Sequence, residues 1–493
     1  MKAHLMYPDK DFNLNDSLEL TRKNLCSDLE LEMVFESAAC GDNVIYGVFS
    51  SGLFSGMTEP ETIDIEYRHA ILRDCIENAD IVRLLYKISR EAIEKKRKIW
   101  WEPYRNSPSS LMLNSVYLLK ILVQKLIELR EVADKYSALF KSAGFRNFFM
   151  MLQKELDDNY LLLLQTALKE LSFENGMLVS VSLGDFNQAV DYILLQQLSK
   201  KNIWHNFFSK LELKIAERDD AGHADLSRRR NLALRSIVKT VSNSSMNVLV
   251  FFTALQNETA FYTGCLNLYD ALQKNGRKIC FPSACKEGRN KWIFENLCDM
   301  SMSLTDKAEL TGNTIKITGK NKIIITGANQ GGKTTFLRSI GLAQIMLQCG
   351  MFVTADKFVS CIYKGIYSHF KKEEDTSMES GKLDEEMRRM SAIADKIKPG
   401  SIILFNESFS STNEKEGSEI CRQITSALTE SGVTVFFVTH FYDFSHSLFT
   451  AKEPLTLFLR AERMSNGERT YRISEGEPQQ TSFGLDIFRK IFD

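Results

Sequence analysis

The feature that most constrains the fold is a glycine-rich turn set between an apolar strand and a helix. The segment "IIITGANQGGKTTFLRSIG" follows the pattern G-x-x-x-x-G-K-[ST] in that strand–loop–helix context. Glycines let backbone N–H groups close around phosphate oxygens, the Lys333 ammonium faces the β- and γ-phosphates, and the Thr334 hydroxyl can ligate Mg²⁺. The pattern predicts a P-loop for ATP and Mg²⁺; a plain turn with a surface lysine is the alternative. The predicted nucleotide-binding residues of this loop are Gly327, Ala328, Asn329, Gln330, Gly331, Gly332, Lys333, Thr334 and Thr335.

Two further strands end in side chains that suit the same chemistry. From about Ile315 onward, the apolar runs "NKIIITG", "SIILF" and "VTVFFVTH" alternate with helical segments, which predicts a parallel α/β sheet. Ligands bind at the carboxyl edge of such a sheet, where Glu407 and His440 follow two of the strands. We predict that Glu407 is the base that activates water and that His440 hydrogen-bonds near the γ-phosphate.

An asparagine stands where a P-loop enzyme commonly has an acid. Strand 402–405 runs into Asn406 and Glu407, and Asn406 keeps an acceptor oxygen for Mg²⁺ but carries no charge. We predict that Thr334 and Asn406 hold the metal. The site is then either a slow ATPase or an inactive relic, and the presence of Lys333, Thr334, Glu407 and His440 together favours a slow ATPase.

The region upstream is helical in pattern. No proline occurs between Pro108 and Pro282, and apolar residues recur three to five positions apart after Ser109 or Ser110, which are candidate N-caps of a long helix. A second long helical pattern covers about 207–272. Between the two, "GMLVSVSLGDFNQAVDYILL" predicts a short strand and turn followed by a helix. We therefore divide the chain into a short N-terminal region (1–60), a helical domain with a small insertion (61–270) and an ATPase domain (271–493).

Composition limits the partners and the compartment. The 493 residues carry a net charge of −1, so any nucleic acid has to meet a local basic patch and not a global field. Two patches are candidates for DNA-phosphate contact, or else are solvated helix surface: "SRRRNLALR" and "EKKRKIWWEPYR". Their predicted DNA-binding residues are Arg228, Arg229, Arg230, Lys95 and Lys96, the last two beside Trp100 and Trp101.

The remaining composition favours a soluble, cytoplasmic protein. The start of the chain carries charges where a signal peptide needs an apolar core, and no run of eighteen apolar residues occurs, so no membrane span is expected. The ten cysteines are scattered and are interpreted as reduced thiols. The seven histidines are equally dispersed and form no metal-ligand cluster in sequence.

Several of these segments resemble the MutS family of DNA mismatch-repair and related ATPases. The run "GANQGGKTTFLRSIGLAQIMLQCGMF" is similar to the P-loop and first helix of the family's ATPase domain. "NESFSSTNEKEG", with Glu407, Thr412 and Gly417, resembles its Walker B segment and following loop, and "FFVTHF" resembles its switch histidine. "EEMRRMSAI" resembles the helix after the signature-like loop, which puts Ser380 and Gly381 near the position that reaches the partner's ATP. "TSFGLDIFRKI" is similar to the last helix of the family domain.

The resemblance implies a multidomain fold, a long α-helical core and lever domain followed by a C-terminal α/β P-loop domain of the ABC class. It also implies ATP and Mg²⁺ as cofactors, a homodimer through composite ATP sites, and duplex or branched DNA held by helical arms. The family reads mismatches with a Phe-x-Glu motif, and here the only such motif is Phe405 to Glu407. We therefore expect a relative that lacks the mismatch-recognition domain.

Two other functions stay open at this point. One is an ATP-gated clamp or scaffold with negligible hydrolysis, acting through a protein partner. The other is an ABC ATPase of the chromosome-maintenance type, which would need a long coiled coil with sustained heptads. The helical patterns here are too short and too interrupted for that second class.

Overall fold

The computed structural model describes the chain except for residues 13, 15–19, 58–59, 100–106, 175, 196–213, 286–289, 306–308, 373–380, 464–468 and 480–493. The chain divides into two compact units. The first unit contains residues 1–3, 80–141 and 145–259, and the second contains residues 4–79, 142–144 and 260–493.

Helices dominate the chain up to Lys274, and strands alternate with helices after it. In chain order the α-helices of the described residues are α1 (Leu20–Asp28), α2 (Leu31–Ala39), α3 (Asn43–Gly56), α4 (Thr62–Glu77), α5 (Ala79–Ile99), α6 (Pro108–Tyr136), α7 (Ala143–Glu155), α8 (Asp158–Glu170), α9 (Asp220–Lys274), α10 (Met300–Thr305), α11 (Lys333–Gln348), α12 (Lys382–Ala394), α13 (Glu414–Glu430) and α14 (Tyr442–Thr450). The strands are β1 (Leu178–Leu183), β2 (Ala189–Leu195), β3 (Ser283–Cys285), β4 (Lys291–Leu297), β5 (Asn313–Thr318), β6 (Lys322–Thr326), β7 (Lys357–Cys361), β8 (Ile366–Phe370), β9 (Ile402–Asn406), β10 (Thr434–Val438), β11 (Thr456–Arg463) and β12 (Arg469–Glu475).

The first unit is built around helix α6. Its start is fixed by Ser107, whose hydroxyl accepts a hydrogen bond from the Ser110 N–H at 3.1 Å, with Pro108 in the first turn. The expected N-cap at Ser109 or Ser110 is therefore wrong by two or three positions. Ser109 instead donates its hydroxyl to the Asn231 side chain at 2.6 Å.

Helix α6 packs its apolar stripe into a core shared with α8 and with residues 220–259 of α9. Residues of this core include Met112, Val116, Leu119, Val123, Leu168, Leu234, Val238 and Val241. By length and composition alone the segment Pro108–Leu139 is apolar enough to cross a membrane, and 44% of its most apolar window is buried. Because a core helix of a folded domain passes the same test, this segment is weak evidence for a membrane span.

Two further sequence predictions in this unit are wrong. Residues 189–195 form strand β2, which pairs antiparallel with β1, so the insertion is a hairpin and not a strand followed by a helix. The apolar run of this segment suits a helix or a strand, and its pairing with β1 makes it a strand. Helix α9 begins at Asp220; residues 214–219 are not helical, and 207–213 lie outside the described residues.

The described residues of the second unit form two sheets. The larger has the strand order β12-β11-β6-β10-β9-β8, in which β11, β6, β10, β9 and β8 run parallel and β12 is antiparallel to β11. The smaller is a mixed sheet of order β3-β7-β4-β5. The predicted parallel arrangement of the strands at 322–326, 402–406 and 434–438 is confirmed, with β10 lying between β6 and β9. The chain is thus a helix-rich, multidomain protein with mixed sheets.

The larger sheet buries side chains on both faces. Helix α11 is buried almost all round, as a helix enclosed by other elements must be. Another face of the sheet packs on α12, α13 and α14 through Phe405, Phe437, Ile393, Leu428 and Phe444. A parallel strand that is covered on both faces is apolar at consecutive positions and not only at alternate ones. This explains the continuous apolar runs "IIIT" and "VFFV" in the sequence.

Candidate functional site

The glycine-rich loop connects β6 directly to α11. Gly327 has a φ of 124°, and a side chain there would lie 2.9 Å from the Ala461 backbone nitrogen. Gly332 caps α11 with a φ of 87°. Both positions therefore need glycine, and the loop they shape brings the first turn of α11 to the carboxyl edge of the sheet.

Lys333 is held inside this loop. The side chain is 5% exposed, and its ammonium donates hydrogen bonds to the Gly327 and Ala328 carbonyls at 2.7 and 3.0 Å. Burial lowers the pKa of Lys333, while the negative charge of Glu407 acts to raise it. The ammonium is thus a partly desolvated cation beside an acid, on a loop whose shape suits an anion.

Thr334 and Asn406 meet across the sheet edge. Asn406 is the last residue of β9, and its side-chain oxygen accepts a hydrogen bond from the Thr334 hydroxyl at 3.0 Å. The two side chains together present neutral oxygen atoms of the kind that Mg²⁺ binds. The structure therefore brings together the two residues that the sequence analysis assigned to the metal, and their donor set fits a Mg²⁺ ion that has phosphate oxygens as its other ligands.

Glu407 sits on a sharp turn immediately after β9. It has a φ of 51°, an uncommon value for a residue other than glycine, and its N–H donates to the Val438 carbonyl at 2.9 Å. That hydrogen bond continues the pairing of β9 with β10 by one residue. The turn directs the chain away from the strand while Glu407 lines the cavity beside the loop.

His440 follows β10 and is half-buried. Burial lowers the pKa of His440, and the positive charges of Lys371 and Lys333 add to this effect, whereas Glu407 opposes it. The imidazole is therefore largely neutral at pH 7, so it can both donate and accept a hydrogen bond. Its ring lies 4.6 Å from that of Phe441, measured between centroids.

A cavity of about 610 Å³ opens over the loop. It is lined by Glu407 and by residues of the loop and the start of α11: Asn329, Gln330, Gly332, Lys333, Thr334 and Thr335. Residues of the β4–α10–β5 region also line it, among them Asp299, Met302 and Asn313. A volume of this size is in the range that holds a small-molecule ligand or cofactor.

Tyr471 is a cavity residue that the sequence analysis missed. It lies on β12, is 51% exposed, and lines the cavity beside Gly332. The same strand secures the loop, because Arg469 donates to the Gln330 side-chain oxygen at 2.7 Å. The signal in the sequence is an aromatic residue between two arginines in "RTYRISE", and nothing local ties that stretch to the loop.

The segment after β9 packs tightly against the end of β10. Helix α13 begins at Glu414, and a side chain on Gly417 would lie 2.4 Å from the Phe441 ring and 3.1 Å from the Phe409 carbonyl oxygen. Thr412 donates its hydroxyl to Glu416 at 2.6 Å. Both Thr412 and Gly417, singled out in the sequence, thus shape this turn.

The residues predicted to reach a partner's nucleotide are only partly described. Ser380 lies outside the described residues. Gly381 caps helix α12, which contains the predicted helical stretch "EEMRRMSAI", and a side chain at Gly381 would meet no described atom within 4 Å. The "TSFGLDIFRKI" stretch also lies outside the described residues.

The candidate DNA-contacting residues occupy helix surfaces in the first unit. Arg228 and Arg229 are exposed on α9, and both bind Asp225, at 2.8 and 2.6 Å. Arg230 is exposed one position further along, and Lys95 is exposed on α5 with Lys96 half-buried. Trp100 and Trp101 lie outside the described residues. Within the part of the chain that is described, nothing brings the two basic stretches to one site.

Comparison with known proteins identifies the family. Residues 60–275 match the model of the MutS2 N-terminal domain, and residues 323–492 match that of MutS domain V. The chain belongs to the MutS family. Domain V is the family's ATPase domain, and it includes the glycine-rich loop, Asn406, Glu407 and His440.

Individual relatives share shorter segments with this MutS-family chain. It is 30% identical over 183 residues to MutS protein homolog 4 of Homo sapiens, covering 36% of this chain and 20% of that protein. It is 29% identical over 177 residues to the DNA mismatch repair protein MutS of Thermotoga neapolitana, covering 34% and 22%. It is 32% identical over 129 residues to the endonuclease MutS2 of Thermus thermophilus, covering 26% and 17%. The matches thus span about a fifth of these relatives' length.

Proposed function

We propose that this MutS-family chain binds ATP with Mg²⁺ in the cavity above the Gly327–Thr334 loop and hydrolyses it slowly. The observation that carries the proposal is the meeting of Lys333, Thr334, Asn406, Glu407 and His440 at one edge of one sheet, although they come from three separate stretches of sequence. Phosphoryl transfer to water needs a cation, oxygen ligands for a metal ion, an acid and a hydrogen-bonding group, and these side chains supply all of them.

Each side chain has a distinct task in this proposal. The loop N–H groups and Lys333 bind the phosphates, which requires Lys333 to leave the two carbonyls it contacts in the described structure. Thr334 and Asn406 would hold Mg²⁺, which when bound neutralises charge on the β- and γ-phosphates. Glu407 orients and deprotonates the attacking water, and His440 donates a hydrogen bond near the γ-phosphate. Tyr471 covers the cavity beside Gly332 and offers its ring to the nucleotide base.

The missing charge at position 406 accounts for the slow rate. At ~5 Å and an effective dielectric constant of about 20, an aspartate would attract each unit of charge on the metal ion with a Coulomb energy on the order of a few kcal/mol. Most of that is compensated by phosphate oxygens and solvent, so Asn406 weakens metal binding without abolishing it. We therefore propose a functioning ATPase and not a relic.

The rest of the chain is proposed to couple nucleotide state to DNA. In this proposal, residues 1–60 form a short N-terminal region, 61–270 a helical core and lever domain with a small clamp-like insertion, and 271–493 the ATPase domain. Two copies pair through composite ATP sites with Ser380 and Gly381 facing the partner's nucleotide, and the helical arms close on duplex or branched DNA in the cytoplasm. The names of the relatives, with mismatch repair and MutS2 among them, support a role in DNA repair or recombination.

One experiment tests both halves of the proposal. Filter binding with duplex, mismatched, branched and single-stranded DNA, with and without ATP, is run beside an ATP hydrolysis assay on the same preparation. We expect slow turnover above background and a nucleotide-dependent change in affinity for duplex or branched DNA. A protein that binds no ATP would contradict the proposal at its foundation.

The β1–β2 hairpin favours a second candidate, an ATP-gated scaffold that acts through a protein partner. Residues 178–195 contain two acids and no base, which does not suit contact with DNA phosphates. Phe186 at the turn is 95% exposed and Leu183 is 76% exposed, so the hairpin presents apolar surface of the kind that protein partners cover. Retained ATP binding, together with absent turnover and no affinity for any of the DNA forms, would favour the scaffold.

A further inference from the structure

Lys371 and Lys372 follow β8 at the same sheet edge, and they make different contacts. The Lys372 ammonium donates to the Asn24 side-chain oxygen at 2.9 Å, toward helix α1. The Lys371 N–H donates to the Asn406 carbonyl at 2.9 Å, which extends the pairing of Phe370 with Asn406 by one residue. Because side chains alternate along an extended chain, neighbouring lysines leave on opposite sides.

The charge of Lys371 acts on the groups around the proposed γ-phosphate position. Its positive charge contributes to lowering the pKa of His440, after burial, which is the main cause. It also acts to lower the pKa of Glu386, although burial of that carboxyl raises its pKa overall. The Lys371 side chain is exposed, so it can approach a ligand at this edge. The backbone contact with Asn406 fixes where that side chain begins.

Asn406 determines what this cation can do. The Lys371 N–H is hydrogen-bonded to the Asn406 carbonyl, so an acid at position 406 would put a carboxylate on the residue that Lys371 contacts. The negative charge of that carboxylate would offset the positive charge of Lys371. Asparagine contributes no charge, so the positive charges of Lys333 and Lys371, which both act on His440, have one acid fewer at this edge to neutralise them. Asparagine at position 406 therefore weakens Mg²⁺ binding but makes the same edge more favourable for a triphosphate that has no bound metal ion.

We infer that Lys371 supplies positive charge to the terminal phosphates of the bound nucleotide, so that ATP binding persists when Mg²⁺ is withdrawn. This inference rests on the proposed function, since it concerns the same site. It assigns Lys371 as a nucleotide-binding residue in addition to those of the loop. The ligand form it predicts is the metal-free triphosphate.

The test is equilibrium dialysis of labelled ATP against the full chain, once with Mg²⁺ and once with EDTA. The variants are Lys371→Gln, the matched control Lys372→Gln, and Lys371→Arg, which keeps the charge. In EDTA we expect Lys371→Gln to bind ATP weaker than Lys372→Gln by on the order of threefold to tenfold, given an exposed charge near the phosphates. With Mg²⁺ the difference should shrink, and Lys371→Arg should bind like wild type in both buffers.

Asn406→Asp gives an independent check, because it lowers the positive charge of the edge by one unit without touching Lys371. It should weaken ATP binding in EDTA and tighten ATP binding with Mg²⁺, because the new carboxylate would attract the metal ion. Equal affinities of Lys371→Gln and Lys372→Gln in EDTA, or wild-type binding that vanishes in EDTA, would overturn the inference and leave the proposed function standing. Wild-type protein that binds no ATP in either buffer would instead overturn the proposed function.

Discussion

The sheet edge of the second unit and the basic surface of α9 in the first unit both carry candidate functional side chains, but these are organised differently. At the sheet edge, Lys333, Asn406 and Glu407 are fixed by strand pairing, a helix cap and hydrogen bonds. On α9, Arg228 and Arg229 are exposed and share one acid, Asp225. The side chains at the sheet edge are held in place by the fold. The arginines on α9 lie on an exposed surface, where Asp225 partly offsets their charge.

The difference shows what a sequence pattern can guarantee. Consecutive parallel strands must present their carboxyl ends at one edge, so residues that follow them come together whatever the intervening sequence is. A run of arginines on a helix has no such constraint, since each side chain can reach solvent or a nearby acid. Substitutions in the two regions should therefore differ in size, and the following predictions test that ordering from the largest effect to the smallest.

Lys333→Ala should abolish measurable ATP binding, because the loop loses its phosphate-facing cation. The Lys333 ammonium donates its hydrogen bonds to carbonyls of the loop itself, so we expect the fold to persist. Binding is measured by equilibrium dialysis, and folding by circular dichroism. Lys316→Ala, which removes an exposed lysine on β5, is the matched control and should bind like wild type. Wild-type affinity in a folded Lys333→Ala protein would contradict the assignment.

Glu407→Gln should leave ATP binding intact and slow the chemical step by about 10²- to 10⁴-fold, the contribution typical of a general base. The amide keeps the shape of the side chain and cannot accept the proton from water. Single-turnover hydrolysis measures the rate, and size-exclusion chromatography with ATP shows whether the closed dimer accumulates. An unchanged single-turnover rate would remove Glu407 from the chemistry.

Gly417→Ala should destabilise the protein by about 1–3 kcal/mol, as overpacking commonly does. The new methyl group would lie 2.4 Å from the Phe441 ring beside His440. Gly47→Ala is the matched control, because it is also inside a helix and its methyl group would meet no described atom within 4 Å. That control should be neutral or stabilising by about 0.5–1 kcal/mol. Urea unfolding of both variants compares them, and equal midpoints would show that the turn accommodates the methyl group.

Replacing Arg228, Arg229 and Arg230 with alanine should have the smallest effect, a modest decrease in DNA affinity with a flatter salt dependence. For each DNA phosphate that the variant no longer neutralises, the slope of log K against log salt should become shallower by about 0.9. Asp225→Asn is the opposing control and should strengthen binding, because it frees the two arginines it now holds. If neither variant alters the salt slope, this stretch is solvated helix surface.

The part of the site that sequence predicts is the part encoded locally. The loop, Asn406 and Glu407 each follow an apolar run that is buried on both faces, so their strand–loop contexts are visible without a structure. The contact between Thr334 and Asn406 also needs the strand order, in which β10 alone separates β6 from β9, and that order is not encoded locally. Their predicted roles in metal binding and catalysis stay predictions.

What sequence does not reveal depends on pairing between distant segments. Tyr471 reaches the cavity only because β12 pairs antiparallel with β11, and no local pattern specifies that partner. The insertion was predicted to end in a helix because a short apolar run such as "YILL" suits either structure, and pairing with β1 decides in favour of a strand. The cap of α6 shifted to Ser107 because several serines compete there, and proline at the next position suits the first turn of a helix.

The position of β10 between β6 and β9 has a consequence for how this unit is synthesised. Strands β6 and β9 do not pair with each other. They become part of one sheet only after β10 (residues 434–438) has been synthesised and pairs with both. Such pairing over long sequence separation is slow to form, because the chain must close large loops first. On the ribosome, Lys333 and Asn406 are made well before the strand that joins them. The nascent segment from β6 to α13 can pair β8 with β9 but would leave β6 and the free edge of β9 without their partner β10, which is the stage at which chaperone binding or aggregation is decided.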